Sequence, residues 1–390
     1  MDAKGFMEHL THQIIPFWNG LEDSLNGGFY GYADSEGVPD KNSVKGCILN
    51  SRILWFYSAS YNLLKQPDLL KKAEHAFLFL YNYFYDSRYG GVYWSVKADG
   101  TPEDTTKHTY NQAFAIYALS EYYKASNERQ ALNLAYSLYH TIESKCRDAE
   151  GYFEAFSREF MEASNDKLSE NGVIAERTMN TLLHVMEAYT ELYRADYFYQ
   201  VGDSIREILR IFKYKIYNPD KEICEVFFDK NYNSLIRLES YGHDIEASWL
   251  IHRACEAIED RAYYEEMLPI ITGLAKGAYE RGIDEKYHAM FNENEDGKIS
   301  AKKVWWVQAE AVTGFYNAYR LQPEKTCYRK LSEQVWDYIQ TYVIDKKTGE
   351  WIEDISPDNT VAAGQALAHP WKCPYHNGRM CIEMIQRLSH

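Results

Sequence analysis

The feature that most constrains the fold of this chain is a series of twelve helix-like stretches that occur in pairs. Most of them carry apolar residues at three- and four-residue spacing, which is the periodicity of an α-helix that buries one face. Short links join the members of a pair, and the pairs recur roughly every 60–70 residues with little visible repeat in sequence. The predicted helices span residues 4–20, 43–65, 67–84, 108–125, 129–145, 174–195, 198–214, 243–258, 261–281, 302–321, 327–344 and 375–388.

The longer segments between pairs contain glycine and β-forming residues, which predicts short β-hairpins in the connecting loops. Examples are NGGFYGYADSEG, YGGVYWSVKADG, EGYFEAF, EVFFDKNYNSL and GEWIEDI. No Pro/Ser-rich linker or low-complexity tract divides the chain. Six helical hairpins in one undivided chain predict an all-α fold, an (α/α)6 barrel of two concentric helix layers, in a single domain over residues 1–390. An open α-solenoid is the alternative, although its packed inner faces would not need polar residues.

Composition and charge narrow the possible partners. The formal net charge of −15 argues against nucleic acid and against an anionic membrane surface. The N-terminus lacks the pattern of a signal peptide, and no apolar run approaches the roughly 18 residues of a membrane helix. The seven cysteines form no CxxC pair, which favours reduced thiols in a cytoplasmic protein, and we expect a monomer. The 34 Tyr, 17 Phe and 9 Trp suit both a large core and a sugar-binding pocket.

Unusual polar residues fall on the even-numbered predicted helices. The intervals from Asn180 to Glu246, to Glu310 and to His376 are 66, 64 and 66 residues, so each step is one helical hairpin. A lone histidine in a helix is usually structural, but this recurrence favours one axial pocket. The residues concerned are Arg52, Tyr110, Asn111, Asn180, His184, His243, Glu246, Trp306, Glu310, His376 and Arg379.

The motifs argue against metal, nucleotide or redox cofactors, and we expect none. His243 and Glu246 have the reverse order of a di-iron Glu-x-x-His pair, and no second pair completes such a site. The chain has no HExxH, no Cys/His cluster, no GxGxxG between a strand and a helix, and no GxSxG.

The histidines point to proton-transfer chemistry. His243 and His376 lie near predicted helix N-termini, where the helix dipole disfavours the imidazolium, so each can accept a proton near pH 7. Glu246 and Glu310 can orient them, and Arg52 can stabilise an oxyanion. This set suits abstraction of the C2 proton of a ring-opened aldose through an enediolate. A glycoside hydrolase using Glu246 and Glu310 is the competing interpretation, but it leaves both histidines without a role.

Six motifs over nearly the whole chain resemble the cellobiose-epimerising branch of the N-acylglucosamine 2-epimerase superfamily. They are NSRILWFYSA (50–59), KHTYNQAFAIYALSEYY (107–123), SENGVIAERTMNTLLHVMEAYTELY (169–193), SYGHDIEASWL (240–250), VWWVQAEAV (304–312) and PWKCPYHNGRM (370–380). The resemblance implies an (α/α)6 barrel that epimerises C2 of the reducing-end glucose of β-1,4-linked disaccharides. Cellobiose would become glucosyl-mannose, and lactose would become epilactose.

The resemblance also implies roles for individual residues. His243 and His376 would be the general acid/base pair, and Glu246 would support His243. Trp249 would wall the pocket from behind or belong to the core. The remaining implied residues bind the substrate: Arg52, Asn180 and His184 at the reducing-end oxygens, Glu310 beneath the pocket, and Tyr110, Trp306 and Trp371 along the sugar.

Three alternatives stay open at this point. The first is a monosaccharide 2-epimerase or aldose–ketose isomerase, which shares the enediolate and differs in where the proton returns. The second is the glycoside hydrolase, and the third is a non-catalytic sugar-binding or interaction protein.

Overall fold

The computed structural model describes residues 1–168 and 171–389, so the quoted motif 169–193 begins two residues outside the described part. Within these residues the chain forms twelve helices that alternate between an outer and an inner layer. The inner helices are α2 (Cys47–Leu64), α4 (Thr109–Ser126), α6 (Met179–Asp196), α8 (Tyr241–Ile258), α10 (Trp305–Leu321) and α12 (His376–Leu388).

The outer layer contains α1, α3, α5, α7, α9 and α11, and four of these include a five-residue π-helical segment. Helix α1 consists of Ala3–His9, the π-segment Leu10–Ile14 and Ile15–Asn19. Helices α5 (Arg129–Lys145) and α9 (Arg261–Arg281) have no such segment. The other three end in one: α3 (Pro67–Phe79, Leu80–Phe84), α7 (Tyr199–Ile211, Phe212–Ile216) and α11 (Thr326–Tyr338, Ile339–Val343).

The inner helices form a closed ring. Each packs against the next along the chain, and α12 returns to pack against α2. Each outer helix packs on the inner helix before it, while α1 packs on α12 and completes the sixth hairpin. The contact between α12 and α2 distinguishes a closed barrel from an open solenoid, so the prediction of an (α/α)6 barrel is confirmed.

Two local features permit this tight packing. The first four inner helices end at a residue in the left-handed region, namely Lys65, Asn127, Tyr197 and Glu259, and the next outer helix starts two residues later. A residue in this conformation satisfies the hydrogen bonds at the helix end and turns the chain sharply, so that the next helix can begin after a short link. Between inner helices, Gly378 leaves no room for a side chain, because an added Cβ would lie 2.5 Å from the ring of Phe56.

The connecting segments place a short strand directly before five of the inner helices. These strands pair with strands from the next connecting segment, so the segments predicted as hairpins also join neighbouring repeats. A local hairpin does form between Glu293–Glu295 and Lys298–Ser300. The pairs between segments are Lys45–Gly46 with Ser95–Val96, Lys107–His108 with Ala155–Phe156, Arg177–Thr178 with Phe227–Phe228, Leu238–Ser240 with Glu293–Glu295, and Lys303–Val304 with Asp354–Ile355.

An ion pair with a buried cation closes five of the six connecting segments. In each of them a cation shortly before an inner helix reaches back to a carboxylate near the end of the preceding outer helix. In the segment before α8 the corresponding position is Glu239, which pairs instead with Arg281. The five pairs are Lys45–Asp23 (2.7 Å), Lys107–Asp86 (3.2 Å), Arg177–Asp148 (2.7 Å), Lys303–Asp284 (2.7 Å) and Lys372–Glu350 (2.8 Å).

Among the described residues no helix combines the length and the apolar character needed to cross a lipid bilayer.

Candidate active site

A cavity of about 270 Å³ lies at the N-terminal ends of the inner helices, on the barrel axis. All six inner helices contribute to its wall. Their contributions are Arg52 from α2, Tyr110 from α4, Asn180 and His184 from α6, His243 and Glu246 from α8, Trp305 and Trp306 from α10, and His376 from α12. The connecting segments add a rim of Leu168, Ser240, Asn292, Glu293, Lys302, Val304, Glu353, Asp354 and Trp371.

Nine of the ten predicted site residues line this cavity. Glu310 is the exception, because its carboxylate lies behind His376 and is fully buried. Trp249 is also fully buried, and its indole Nε1 donates a hydrogen bond to Glu310 Oε2 at 3.0 Å. Trp249 therefore lies behind the cavity wall, where it contacts Glu310 and also the Arg379 guanidinium, 4.7 Å from its ring centroid.

His243 and His376 flank the indole of Trp306. The ring centroid of Trp306 lies 4.8 Å from that of His243 and 5.5 Å from that of His376. Each histidine is held through Nδ1: His243 by Ser240 Oγ at 2.7 Å, and His376 by Glu310 Oε1 at 2.7 Å. Because Nδ1 is occupied in both rings, Nε2 is the nitrogen available to a molecule in the cavity.

Both histidines are held in the neutral state. Burial, followed by the field of His184, lowers the pKa of His243 to about 3. Burial is also the largest cause for His376, and the nearby Arg379 and Arg52 guanidinium groups lower its pKa further. Both residues do lie at or near helix N-termini, as predicted, but burial is the dominant cause of their neutrality.

Arg379 lies beneath the cavity and connects three glutamate side chains. Its guanidinium donates hydrogen bonds to the carboxylates of Glu187, Glu246 and Glu310, the last at 2.7 Å. The expectation that Glu246 supports His243 is corrected by this geometry, because Glu246 pairs with Arg379 and His243 pairs with Ser240. Burial, followed by repulsion from Glu310, raises the pKa of Glu246 to about 8, so this carboxyl holds a proton near pH 7.

Three of these groups have the chemistry of metal ligands. Atoms of Glu246, Glu310 and His376 lie within 4.8 Å of one another. However, Nη2 of Arg379 already donates to both carboxylates, and Nδ1 of His376 is bonded to Glu310. A divalent ion would have to displace a buried guanidinium, so the donor set does not fit a resident cation.

Arg52 supplies positive charge on the other side of the cavity. Its Nη2 donates to the Tyr110 hydroxyl at 2.9 Å, and the guanidinium lies over the rings of Phe114 and Tyr375, 4.1 and 4.6 Å from their centroids. No acceptor contacts its buried Nε within the described part of the chain. Arg52 is therefore held by aromatic faces, and no carboxylate of the described residues forms an ion pair with it.

His184 and Glu187 form a pair that the sequence reasoning missed. Nδ1 of His184 is 2.8 Å from Glu187 Oε2, and the same oxygen accepts a hydrogen bond from the Tyr375 hydroxyl. Glu187 follows His184 by three residues on α6, which is the spacing that predicted a His243–Glu246 pair on α8. The three-residue spacing of a histidine and a glutamate is therefore visible in the sequence of α6, where the structure forms the pair.

The mouth of the cavity has an aromatic side and a charged side. Trp371 is 36% exposed, and its ring centroid lies 6.1 Å from Tyr110 and 5.9 Å from Trp94. The other side carries Glu293, Glu353 and an ion pair of Lys302 with Asp354 at 3.1 Å. These charged residues come from connecting segments, where no helical periodicity marked them.

A family model, related sequences and a solved structure all indicate the same family for this chain. The family model for N-acylglucosamine 2-epimerase (GlcNAc 2-epimerase) matches residues 28–377. Cellobiose 2-epimerases from Eubacterium cellulosolvens and Ruminococcus albus (strain ATCC 27210) are each 46% identical, with 97% of both chains covered. The solved structure of cellobiose 2-epimerase from Bacillus thermoamylovorans B4167 superposes with a TM-score of 0.94 at 42% identity, covering 99% of each chain.

Proposed function

The chain belongs to the N-acylglucosamine 2-epimerase family, and from this premise we propose that it is a carbohydrate epimerase acting on C2 of the reducing-end glucose of β-1,4-linked disaccharides. Cellobiose would give glucosyl-mannose, and lactose would give epilactose. The observation that carries the proposal is the pair of neutral histidines, His243 and His376, which come from different inner helices, line the same cavity and both contact Trp306. Two bases that face one substrate from different helices suit removal of a proton and its return to the opposite face.

The proposed reaction needs no redox step. In the ring-opened sugar the C2 hydrogen is α to the C1 aldehyde, so Nε2 of one histidine removes it and leaves an enediolate. The guanidinium of Arg52, which has no carboxylate partner among the described residues, stabilises the developing oxygen charge. The first histidine releases its proton to solvent while Nε2 of the other histidine takes one up from solvent, and this second imidazolium then gives its proton to C2 from the opposite side.

The hydrogen bonds at Nδ1 prepare the two histidines differently. Glu310 accepts from Nδ1 of His376 and supports a transient imidazolium, as a carboxylate does for a general-base histidine in other enzymes. Ser240 holds His243 through a neutral hydroxyl, which can donate or accept. His376 therefore has the stronger electrostatic support when it becomes charged.

The cavity mouth supports a disaccharide rather than a monosaccharide as substrate. The rings of Tyr110 and the half-open Trp371 line the cavity, with Trp94 packed against Trp371, and a second sugar ring would lie along them. Aromatic faces pack on the C–H surfaces of sugars, while Lys302 and Asp354 opposite can bond their hydroxyl groups.

A glycoside hydrolase is a poorer fit to this geometry. Its two carboxylates lie on opposite sides of the scissile bond, with the substrate between them. Here Glu246 and Glu310 both bind the same Nη2 of Arg379, and Glu310 does not reach the cavity surface. Two carboxylates on one side of a guanidinium cannot enclose a glycosidic bond.

We also propose a single domain for residues 1–390, a monomeric assembly and a cytoplasmic location. The closed ring of inner helices supports the single domain. The seven cysteines, which form no disulfide in the structure, support a reducing compartment.

Isotope exchange tests the proposed reaction. Cellobiose incubated with the enzyme in D₂O is expected to give glucosyl-mannose with deuterium at C2 and none at C3, measured by NMR and mass spectrometry. His243→Ala and His376→Ala are each expected to lower epimer formation about 10²–10⁴-fold with the fold intact. Free glucose would indicate glycoside cleavage, and a ketose product would indicate an aldose–ketose isomerase. A product with unlabelled C2 at low conversion would contradict the two-histidine route.

A further inference from the structure

The site contains one more imidazole than C2 epimerisation requires. His243 and His376 flank Trp306, and they are sufficient to remove and return one proton. His184 lies on the side of the cavity formed by Arg52 and Tyr110, with the Tyr110 ring edge-on to it at 5.2 Å between centroids. A third buried histidine, with a carboxylate partner of its own, needs a separate explanation.

The hydrogen bonds of Glu187 fix the tautomer of His184. Glu187 accepts from Arg379 at one oxygen and from the Tyr375 hydroxyl at the other. Burial opposes its ionisation, but the Arg379 charge and the His184 hydrogen bond together lower the pKa of Glu187 to about 2. An ionised carboxylate only accepts, so His184 must carry its hydrogen on Nδ1. Its Nε2 then has a free lone pair and acts as a base toward the cavity.

The proposed reaction contains a step that such a base would serve. Reducing disaccharides are present in water mainly as closed pyranoses, in which the C2 hydrogen is not acidic because C1 is not a carbonyl. The ring must open before His243 or His376 can act. Opening requires that the anomeric hydroxyl lose a proton while the ring oxygen gains one.

We propose that His184, oriented by Glu187, is the base that opens and closes the pyranose ring of the substrate. This inference rests on the proposed function. Nε2 of His184 takes the proton from the anomeric O1–H, the C1–O5 bond breaks as the C1=O1 bond forms, and O5 takes a proton from a water molecule. The imidazolium then returns its proton to the resulting hydroxide, so atoms and charges balance. His184 is a catalytic residue in this scheme, and Glu187 is a positioning residue.

The surroundings of His184 favour this direction of proton transfer. Its pKa is lowered by burial, and the positive charge of Arg52 contributes, so the ring is neutral before reaction. Arg52 is hydrogen-bonded to Tyr110, and the Tyr110 ring contacts His184. In this scheme the guanidinium therefore lies near the anomeric O1 that His184 deprotonates. That charge stabilises the alkoxide character that develops on O1 while Glu187 stabilises the imidazolium.

Mutarotation tests ring opening without any change at C2. A single anomer of lactose is dissolved with catalytic amounts of enzyme in weak buffer, and the approach to anomeric equilibrium is followed by polarimetry. We expect the wild type to accelerate mutarotation and His184→Asn to lower that acceleration about 10²–10⁴-fold. His140→Asn, on the exposed face of α5, is the matched control and should behave as wild type. His243→Ala and His376→Ala should form epimer about 10²–10⁴-fold more slowly yet still accelerate mutarotation.

The outcomes separate this inference from the proposed function. If the His184→Asn variant accelerated mutarotation as strongly as the wild type does, the assignment of His184 would be overturned. So would a wild-type enzyme that epimerises without accelerating mutarotation, or a loss of acceleration in His376→Ala alone. A wild type that accelerates mutarotation but forms no epimer and exchanges no C2 hydrogen would refute the proposed function and leave the role of His184 standing.

Glu187→Gln gives a second test that does not depend on the folding of the His184 variant. Loss of the anionic partner lowers the pKa of His184, so the acid limb of the pH–mutarotation profile should move to lower pH while the maximal rate falls. A purely structural role of Glu187 would lower the rate and leave that limb in place. An unchanged acid limb would therefore contradict the positioning role.

Discussion

Replacement of Glu310 by glutamine tests whether the carboxylate behind His376 controls its chemistry. In the structure Glu310 Oε1 faces Nδ1 of His376 at 2.7 Å and Arg379 Nη2 at 2.7 Å, while Oε2 accepts from Trp249 Nε1 at 3.0 Å. All three neighbours donate toward the carboxylate. A glutamine has the same shape, but its amide nitrogen must face at least one of these donors.

The size of the effect follows from the two orientations of the amide. If its oxygen faces His376, the hydrogen bond survives but weakens from about 1.5–3 kcal/mol to about 0.5–1.5 kcal/mol, a loss of about 1–1.5 kcal/mol that corresponds to roughly 5–13-fold in rate. If its nitrogen faces His376, the ring must accept at Nδ1 and carry its hydrogen on Nε2, so the base is lost. A comparable carboxylate-to-amide change beside the histidine of a serine protease costs about 10⁴-fold. We expect kcat to fall by about tenfold if the oxygen faces His376, and by up to about 10⁴-fold if the nitrogen does.

The control is Ser240→Ala, which removes the corresponding partner of His243. Ser240 is a neutral partner at the same 2.7 Å distance, so its loss should cost about 1 kcal/mol, or roughly fivefold in kcat. Both variants are assayed by the initial rate of epimer formation and by C2 hydrogen exchange in D₂O, with near-ultraviolet circular dichroism as the check of folding. A folded Glu310→Gln enzyme within fivefold of wild type would refute the reasoning, as would equal losses in the two variants.

Three further predictions concern stability, pH and cofactors. Lys45→Met leaves the Asp23 carboxylate buried without its partner and should lower the free energy of unfolding by about 3–5 kcal/mol in urea titrations, whereas Lys71→Met, at an exposed ion pair, should leave the free energy of unfolding unchanged within the error of the titration. Glu246 has its pKa raised by burial from 4.5 to about 8, so it binds a proton more tightly in the folded state, and its contribution to stability is lost as pH rises across that interval. Glu246→Gln should therefore lose less stability than the wild type between pH 5 and pH 8, and a parallel decline in both proteins would contradict the assignment. EDTA should leave epimerisation unchanged, because Arg379 already engages the carboxylates of Glu246 and Glu310; activity lost in EDTA and restored by a divalent ion would show otherwise.

The barrel was predictable because its signal is periodic and local. All twelve helices were predicted, most of them from apolar spacing, and the short links within pairs indicated the hairpins. Errors concentrate at helix starts: α6 was predicted from residue 174 but begins at Met179, because Arg177–Thr178 form a strand with Phe227–Phe228. Strand pairing between neighbouring repeats depends on positions about 50 residues apart, which hydropathy cannot reveal.

The repeat that the sequence seemed to lack is present in the ion pairs of its connecting segments. A lysine or arginine two residues before the inner helices α2, α4, α6 and α10 meets an aspartate 19–29 residues earlier in the same connecting segment. Considered singly, each cation resembles an ordinary surface charge. Only the recurring position relative to a helix start distinguishes these residues, and that position is known only after the strands have been placed.

The residues of the active site were predictable as a group, but their partners were not. Recurrence at one-hairpin intervals located residues from every inner helix, because equivalent positions on the inner layer of a closed ring point to one axis. The error concerned Glu246, for which spacing on α8 predicted His243, whereas its actual partner Arg379 lies 133 residues away on α12. Residue spacing along one helix predicts contacts only within that helix, whereas side chains at the centre of a barrel also contact residues of the other inner helices. Buried carboxylates there pair with whichever cation lowers the cost of their burial, and Arg379 is the group that reaches Glu187, Glu246 and Glu310 at once. The same guanidinium therefore links His376, through Glu310, to His184, through Glu187, so the base proposed for C2 and the base proposed for ring opening share one electrostatic support.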